Sequence, residues 1–280
     1  MRKLINPLIK ILAKEITQLP EDAYGQLGDK IEKFQRELRK LLDKISKIEN
    51  RKKDGKYPED YTIKPLDEQI DILAEVAQVS PKQALQYAKE ISKKELPEDA
   101  EGWFAILSSR GNKKYTSYQD QIKHTHERLS RFRPIFDFDK ETSDSELRKY
   151  LAALELNQRT KKALGIIEKK QKGPIIIIPA QFGGKLVGLK CNTAHSVLGN
   201  NEFGLDLLSI FSMLITHPRR LDNEYINGIN NDIICLGNKP HSTGELLELG
   251  MQGLLCILSD SEASNYSYPT GFLLDRSIYD

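Results

Sequence analysis

Pro174-Ile-Ile-Ile-Ile178-Pro-Ala-Gln181-Phe-Gly-Gly184 carries the clearest structural signal in the chain. Its four consecutive β-branched residues, Ile175 to Ile178, leave neither side of an extended backbone polar. Such a strand suits a sheet covered on both faces. Gly183 and Gly184 fit a tight reversal into a second strand, Lys185 to Lys190. Beyond a polar loop, Cys191 to Asn201, the segment Gly204 to Thr216 places Leu205, Leu208, Ile210, Phe211, Leu214 and Ile215 at helical spacing. A strand pair with a helix packed on it is the expected centre of the C-terminal part.

Further strands are expected at Ile233–Leu236, Leu254–Leu258 and Gly271–Leu274, with a helix from Thr243 carrying Leu246, Leu247, Leu249 and Met251. Residues 173–280 therefore read as a compact α/β body with a mixed sheet of four or five strands.

The net charge of +2 hides a division of the chain. Residues 1–172 hold 36 Lys/Arg and 29 Asp/Glu, whereas residues 173–280 hold 6 and 11. The first part reads as well-solvated helices and the second as a drier base. A boundary near Gly173 follows, and the class is α+β. The expected partition is a helical region at 1–96, a helical connector with a short strand at 97–172, and the body at 173–280.

Near the N-terminus, Leu8, Ile11, Leu12 and Ile16 predict a short basic amphipathic helix, expected to dock on its own protein rather than on a membrane or a nucleic acid. No small-residue cleavage site follows it, so it is not read as a signal peptide. Tyr24, Leu27, Ile31, Phe34, Leu38, Leu41, Ile45 and Ile48 alternate spacings of three and four. They predict a long helix over 24–50 with an apolar seam over 24–48. The seam needs cover, from a helix of the same chain, from a protein partner or from a second copy. Residues 51–64 read as a linker, and 65–94 as a helical hairpin with Ser80 and Pro81 opening its second helix.

Within that hairpin, Ile70-Asp-Ile-Leu73-Ala74-Glu-Val-Ala-Gln78-Val79-Ser80-Pro-Lys-Gln-Ala84-Leu-Gln-Tyr87 resembles the helix-turn-helix family. Ala74 matches the small residue of the family's first helix, and Val79-Ser80 matches the opening of its recognition helix. Gln78 stands where the turn usually has Gly. The resemblance covers about 20 of 280 residues. It implies that Lys82, Gln83, Gln86 and Lys89 face base edges or phosphates. Opposing it, residues 57–100 hold 5 basic and 10 acidic residues, a charge that repels a phosphate backbone.

Trp103 to Leu107 is expected to be a strand that leaves the helical part and joins the later sheet. Helices follow over 117–132, 143–156 and 159–172. Arg128, Arg131, Arg133, Lys169 and Lys170 form either a phosphate-binding patch or a solvated face. His124 and His126, two apart on a helix, point to different sides and do not share a metal.

No Walker loop, Rossmann glycine triplet, Gly-x-Ser-x-Gly elbow, His-Glu-x-x-His or Cys-x-x-Cys occurs. The candidates for nucleophilic chemistry are Cys191 with His195 or His217 as base. Arg219 and Arg220 either bind an anion or pair with Asp222 and Glu224. No cofactor or metal is expected. Three scattered cysteines suit a reducing compartment, and no stretch reaches the roughly 18 apolar residues of a membrane span. The expected protein is a cytoplasmic, non-catalytic binding or assembly protein with a charged helical arm. The alternatives are a nucleic-acid-binding protein and an enzyme of novel type acting on an anionic substrate.

Overall fold

The computed structural model describes residues 61–109, 115–132, 144–187, 189–221, 225–226, 229–230, 232–239, 245–249, 255–259, 266–274 and 278. The helix over 24–50, its 24–48 seam and the short N-terminal helix lie outside the described residues.

In chain order the described helices and strands are α1 (Leu66–Ala77), α2 (Lys82–Ile91), β1 (Gly102–Leu107), α3 (Tyr118–Phe132), α4 (Asp144–Ala153), α5 (Gln158–Gln171), β2 (Ile175–Gln181), α6 (Cys191–Ser196), β3 (Glu202–Gly204) and α7 (Leu207–Thr216). Short strands follow: β4 (Tyr225–Ile226), β5 (Ile229–Asn230), β6 (Ile233–Ile234), β7 (Glu245–Leu249), β8 (Leu255–Ser259) and β9 (Thr270–Phe272).

The fold is α+β. Its main sheet runs β1-β2-β9-β3, and every pairing in it is antiparallel. The sheet is thus not the mixed one expected, because β1 enters it from before residue 173 and lies antiparallel on β2. Ala105 stands opposite Ile177, and Trp103 opposite Pro179. As anticipated, Ile175 to Ile178 are each at most 2% exposed. Burying four isoleucines contributes roughly 1.5–3 kcal/mol apiece before chain entropy is counted.

Opposite residues of an antiparallel pair share a face. Phe104 lies on the α7 side, its ring centroid 5.2 Å from that of His217 at the helix end. Ile177 and Pro179 lie on the other side, where they meet Tyr87 of α2 and Ile166 and Ile167 of α5. One core joins α1, α2, β1 and α5 to β2 and α7. The boundary drawn near Gly173 therefore falls inside a core.

Three local readings change. The described residues of Lys185 to Lys190 form no strand: Gly183 takes φ 108°, and Gly184–Leu186 forms a 3₁₀ turn. The Gln181 side-chain Oε1 accepts from the N–H of Gly183 at 2.6 Å, folding the chain back before a hairpin can form. Cys191 to Ser196 is a short helix rather than a loop. Residues 245–249 pair with β8 and β6 as strand β7 instead of joining a helix. Glu-Leu-Leu-Glu-Leu suits either state, and pairing with neighbours decides it.

The helix ends follow local chemistry. Asn157 caps α5 by accepting from the N–H of Thr160 at 2.8 Å. Gln78 closes α1 in the left-handed conformation, φ 54°. Asp67 and Glu68 suit the positive end of α1, and Lys169 and Lys170 the negative end of α5.

Candidate functional site

Of the candidates for nucleophilic chemistry, Cys191 and His217 are buried and His195 is half-buried. His217 is 3% exposed. Its Nε2 accepts the backbone N–H of Lys64 at 3.0 Å, so the ring proton sits on Nδ1, beside the Met213 carbonyl and the Thr216 hydroxyl. Neither nitrogen is left for a substrate or a thiol. Burial pushes this imidazole down from 6.5 to about 4, against the opposing pull of the Met213 carbonyl. Cys191 is 2% exposed on α6, which also carries the half-buried His195. The Cys191 thiol is therefore not exposed on this helix.

The arginines divide. Arg220 is fully buried, its Nε donating to the Phe182 carbonyl at 2.9 Å and its guanidinium lying 5.4 Å from the Phe182 ring centre. Arg219, its neighbour, is exposed. Arg128 donates Nη1 to the Val76 carbonyl, satisfying one of the open acceptors at the end of α1. Arg133 and the side chain of Arg131 lie outside the described residues.

A different set comes together on the surface. Lys82, Gln83 and Gln86 are exposed along α2, and Lys169 and Lys170 are exposed at the end of α5. The two helices pack side by side over β2. Gln83 Oε1 lies 3.3 Å from where a side chain on Gly173 would begin, and Tyr87 and Lys170 line one crease. Two sets singled out separately in the sequence, Lys82, Gln83 and Gln86 on α2 and Lys169 and Lys170 on α5, thus lie on neighbouring helices, while Arg128, grouped with Lys169 and Lys170 there, serves α1.

Sequence reading missed the extent of this face. Every exposed charged position of α5 is a lysine: Lys161, Lys162, Lys169 and Lys170, with Lys172 next as the C-cap. The helix's one carboxylate, Glu168, accepts the hydroxyls of Ser108 and Ser109 at 2.8 and 3.0 Å. Arg159 is spent on the carbonyls of Glu202 and Gly199. Over 82–95 and 158–172, exposed positions carry nine lysines and two glutamates. Lys162 and Lys169 are two turns apart, and Lys161 and Lys172 three, so the lysines run in lengthwise rows. The signal was present in Lys161-Lys162 and Lys169-Lys170, but only the inward turn of Glu168 makes the face uniformly basic.

The outer face of α1 has the opposite sign. Its exposed charged positions are Asp67, Glu68, Asp71 and Glu75. Two further polar groups lie inside. Asp206 Oδ2 accepts the Tyr118 hydroxyl at 2.6 Å, and burial raises both pKa values. Lys185 Nζ bridges Glu202 at 2.6 Å and Asp99 at 2.8 Å. A cleft of about 430 Å³ beside Tyr118 is lined by Gln119, Glu155, Lys161 and Lys239, and Glu155 and Lys239 pair across its rim.

Among the described residues, no group of three or more His, Cys, Asp or Glu is placed to hold a metal. His124 is exposed and His126 buried against Phe211. No described helix is long and apolar enough to cross a membrane. No protein-family model, curated protein or solved structure matches the chain.

Proposed function

We propose that this is a non-catalytic binding protein that holds a nucleic acid on the lysine face of α5 and the adjoining face of α2. The observation behind the reading is the uniform sign of α5: five lysines, counting the C-cap, and no outward carboxylate. Lysine rows of this kind neutralise phosphates and release their counterions, which supplies sequence-independent affinity. Gln83 and Gln86 add amides able to reach base edges.

The helix-turn-helix resemblance contributes the turn but not the docking mode. Gln78, standing where the family's turn usually has Gly, takes a left-handed conformation that Gly adopts readily. In that family the first helix crosses the phosphate backbone. Here that helix, α1, presents four carboxylates to solvent and repels it. Contact through α2 and α5 avoids the conflict.

The heptad pattern of residues 24–48 supports a separate partner, a protein or a second copy of the chain. The few, scattered cysteines support a cytoplasmic setting.

The test is fluorescence anisotropy with a labelled oligonucleotide over a salt series. Binding that weakens steeply between about 50 and 200 mM salt is the expected result. Binding unchanged over that range would contradict a phosphate-held complex.

A further inference from the structure

We infer that the crease between α2 and α5 is a stacking platform for unpaired bases, so that the nucleic acid held here is single-stranded. The inference rests on the lysine face proposed above and specifies its ligand.

Tyr87 is half-buried on α2 and lines this crease with Pro179, Ile166 and Lys170. Trp103, the only tryptophan, stands opposite Pro179 in the β1–β2 register, so its indole lies on the same face of the sheet. Trp103 is half-buried, whereas every other position of β1 is buried. Pro179 thus shares the crease with Tyr87 and has Trp103 opposite it in register, on the side of the sheet that carries the lysine-bearing helices.

The crease itself holds only about 30 Å³, room for a water and too little for a base. Bases therefore lie across the rings and do not enter a pocket. Stacking of this kind is blind to sequence, because every base has a π face, and it is closed to a base already stacked inside a duplex. Lysines beside aromatic platforms are the recurrent means of holding single strands. Charge complementarity chooses the occupant: an apolar partner helix would have to leave the surrounding lysines unmatched.

Trp103 reports directly. The probes are an oligothymidylate of about twenty nucleotides and a DNA duplex of the same length. The single strand is expected to quench the tryptophan emission and to bind at least about tenfold more tightly than the duplex. Tyr87→Ala should weaken single-strand binding by about tenfold, while Tyr87→Phe, which keeps the ring, should leave it within about twofold. Lys169→Glu with Lys170→Glu should weaken both ligands. Equal affinity for both forms with unchanged emission overturns the platform, as does wild-type binding by Tyr87→Ala. If those results come with loss on lysine reversal, the lysine face stands and the platform alone falls. Binding of neither form overturns both readings.

Discussion

Gln69 and Gln171 stand at the two ends of one line across the sheet. Ala105 and Ile177 face each other in register between them. Gln69 Oε1 accepts the N–H of Ala105 at 2.9 Å, and Gln171 Oε1 accepts the N–H of Ile177 at 2.7 Å. Each amide also donates back: Gln69 to the Trp103 carbonyl at 3.0 Å, Gln171 to the Ile177 carbonyl at 2.7 Å. Both side chains stand in for an absent strand, from α1 on the edge of β1 and from α5 on β2 where β9 does not reach. A side-chain amide can do this because it carries both donor and acceptor. The open edges are closed by helices of the same chain.

Gln69→Ala and Gln171→Ala should therefore each lose about 1–3 kcal/mol, the cost of orphaning buried backbone groups. Gln69→Glu keeps an acceptor but loses the donor, and should also destabilise. Urea unfolding of each variant checks this. Midpoints equal to wild type would show that the amides are incidental.

His217 ties Lys64 to the core as a neutral ring. Its folded pKa of about 4 is below the ordinary 6.5. Above pH 6.5 the ring is neutral folded or unfolded and adds no pH dependence. As pH falls from 6.5 toward 4, the unfolded chain takes up a proton that the folded one refuses. Stability is lost over that window, reaching about 3 kcal/mol below it. In urea melts at stepped pH, His217→Gln should lose less stability than wild type between pH 6.5 and 4. Parallel curves would show that His217 is not the group responsible.

Gly183 is held at φ 108°, and a Cβ there would lie 2.7 Å from Ser267 Cβ. Gly183→Ala combines left-handed strain with a clash and should cost at least about 1–2 kcal/mol. Thermal melting of the variant would expose the error if the midpoint did not fall.

Lys185 and Glu202 are 12% and 1% exposed, and the Glu202 carboxylate also accepts the Thr270 hydroxyl at 2.6 Å. Removing one partner leaves a buried charge, so Lys185→Met should cost about 3–5 kcal/mol. Lys185→Met with Glu202→Gln should cost less than the sum of the two single changes. A double-mutant cycle by denaturant unfolding measures the difference, and strict additivity would refute the coupling.

These networks explain what could be read in advance. Ile175–Ile178 announced β2, and Trp103–Leu107 announced β1, because a run of large apolar residues leaves a strand few alternatives. The apolar spacing of Leu208, Phe211 and Ile215 likewise announced α7. The glutamine caps were invisible, since Gln69 and Gln171 sit in ordinary helical positions and act only once the sheet is beside them. The charge step near Gly173 is not a break in the core, which joins α1, α2, β1 and α5 to β2 and α7 across it. The lysines of α5 were legible one by one. Their uniform face was not, because it depends on Glu168 turning toward Ser108 and Ser109.

The lysine face carries the functional account, and its salt dependence tests it most directly. Wild type and Lys162→Glu/Lys169→Glu/Lys170→Glu are titrated by anisotropy against one labelled single strand over a salt series. The account predicts at least about a tenfold loss of affinity at low salt and a log–log salt slope shallower by about one for each phosphate the variant no longer neutralises. Equal affinity and equal slope in the two proteins would contradict it.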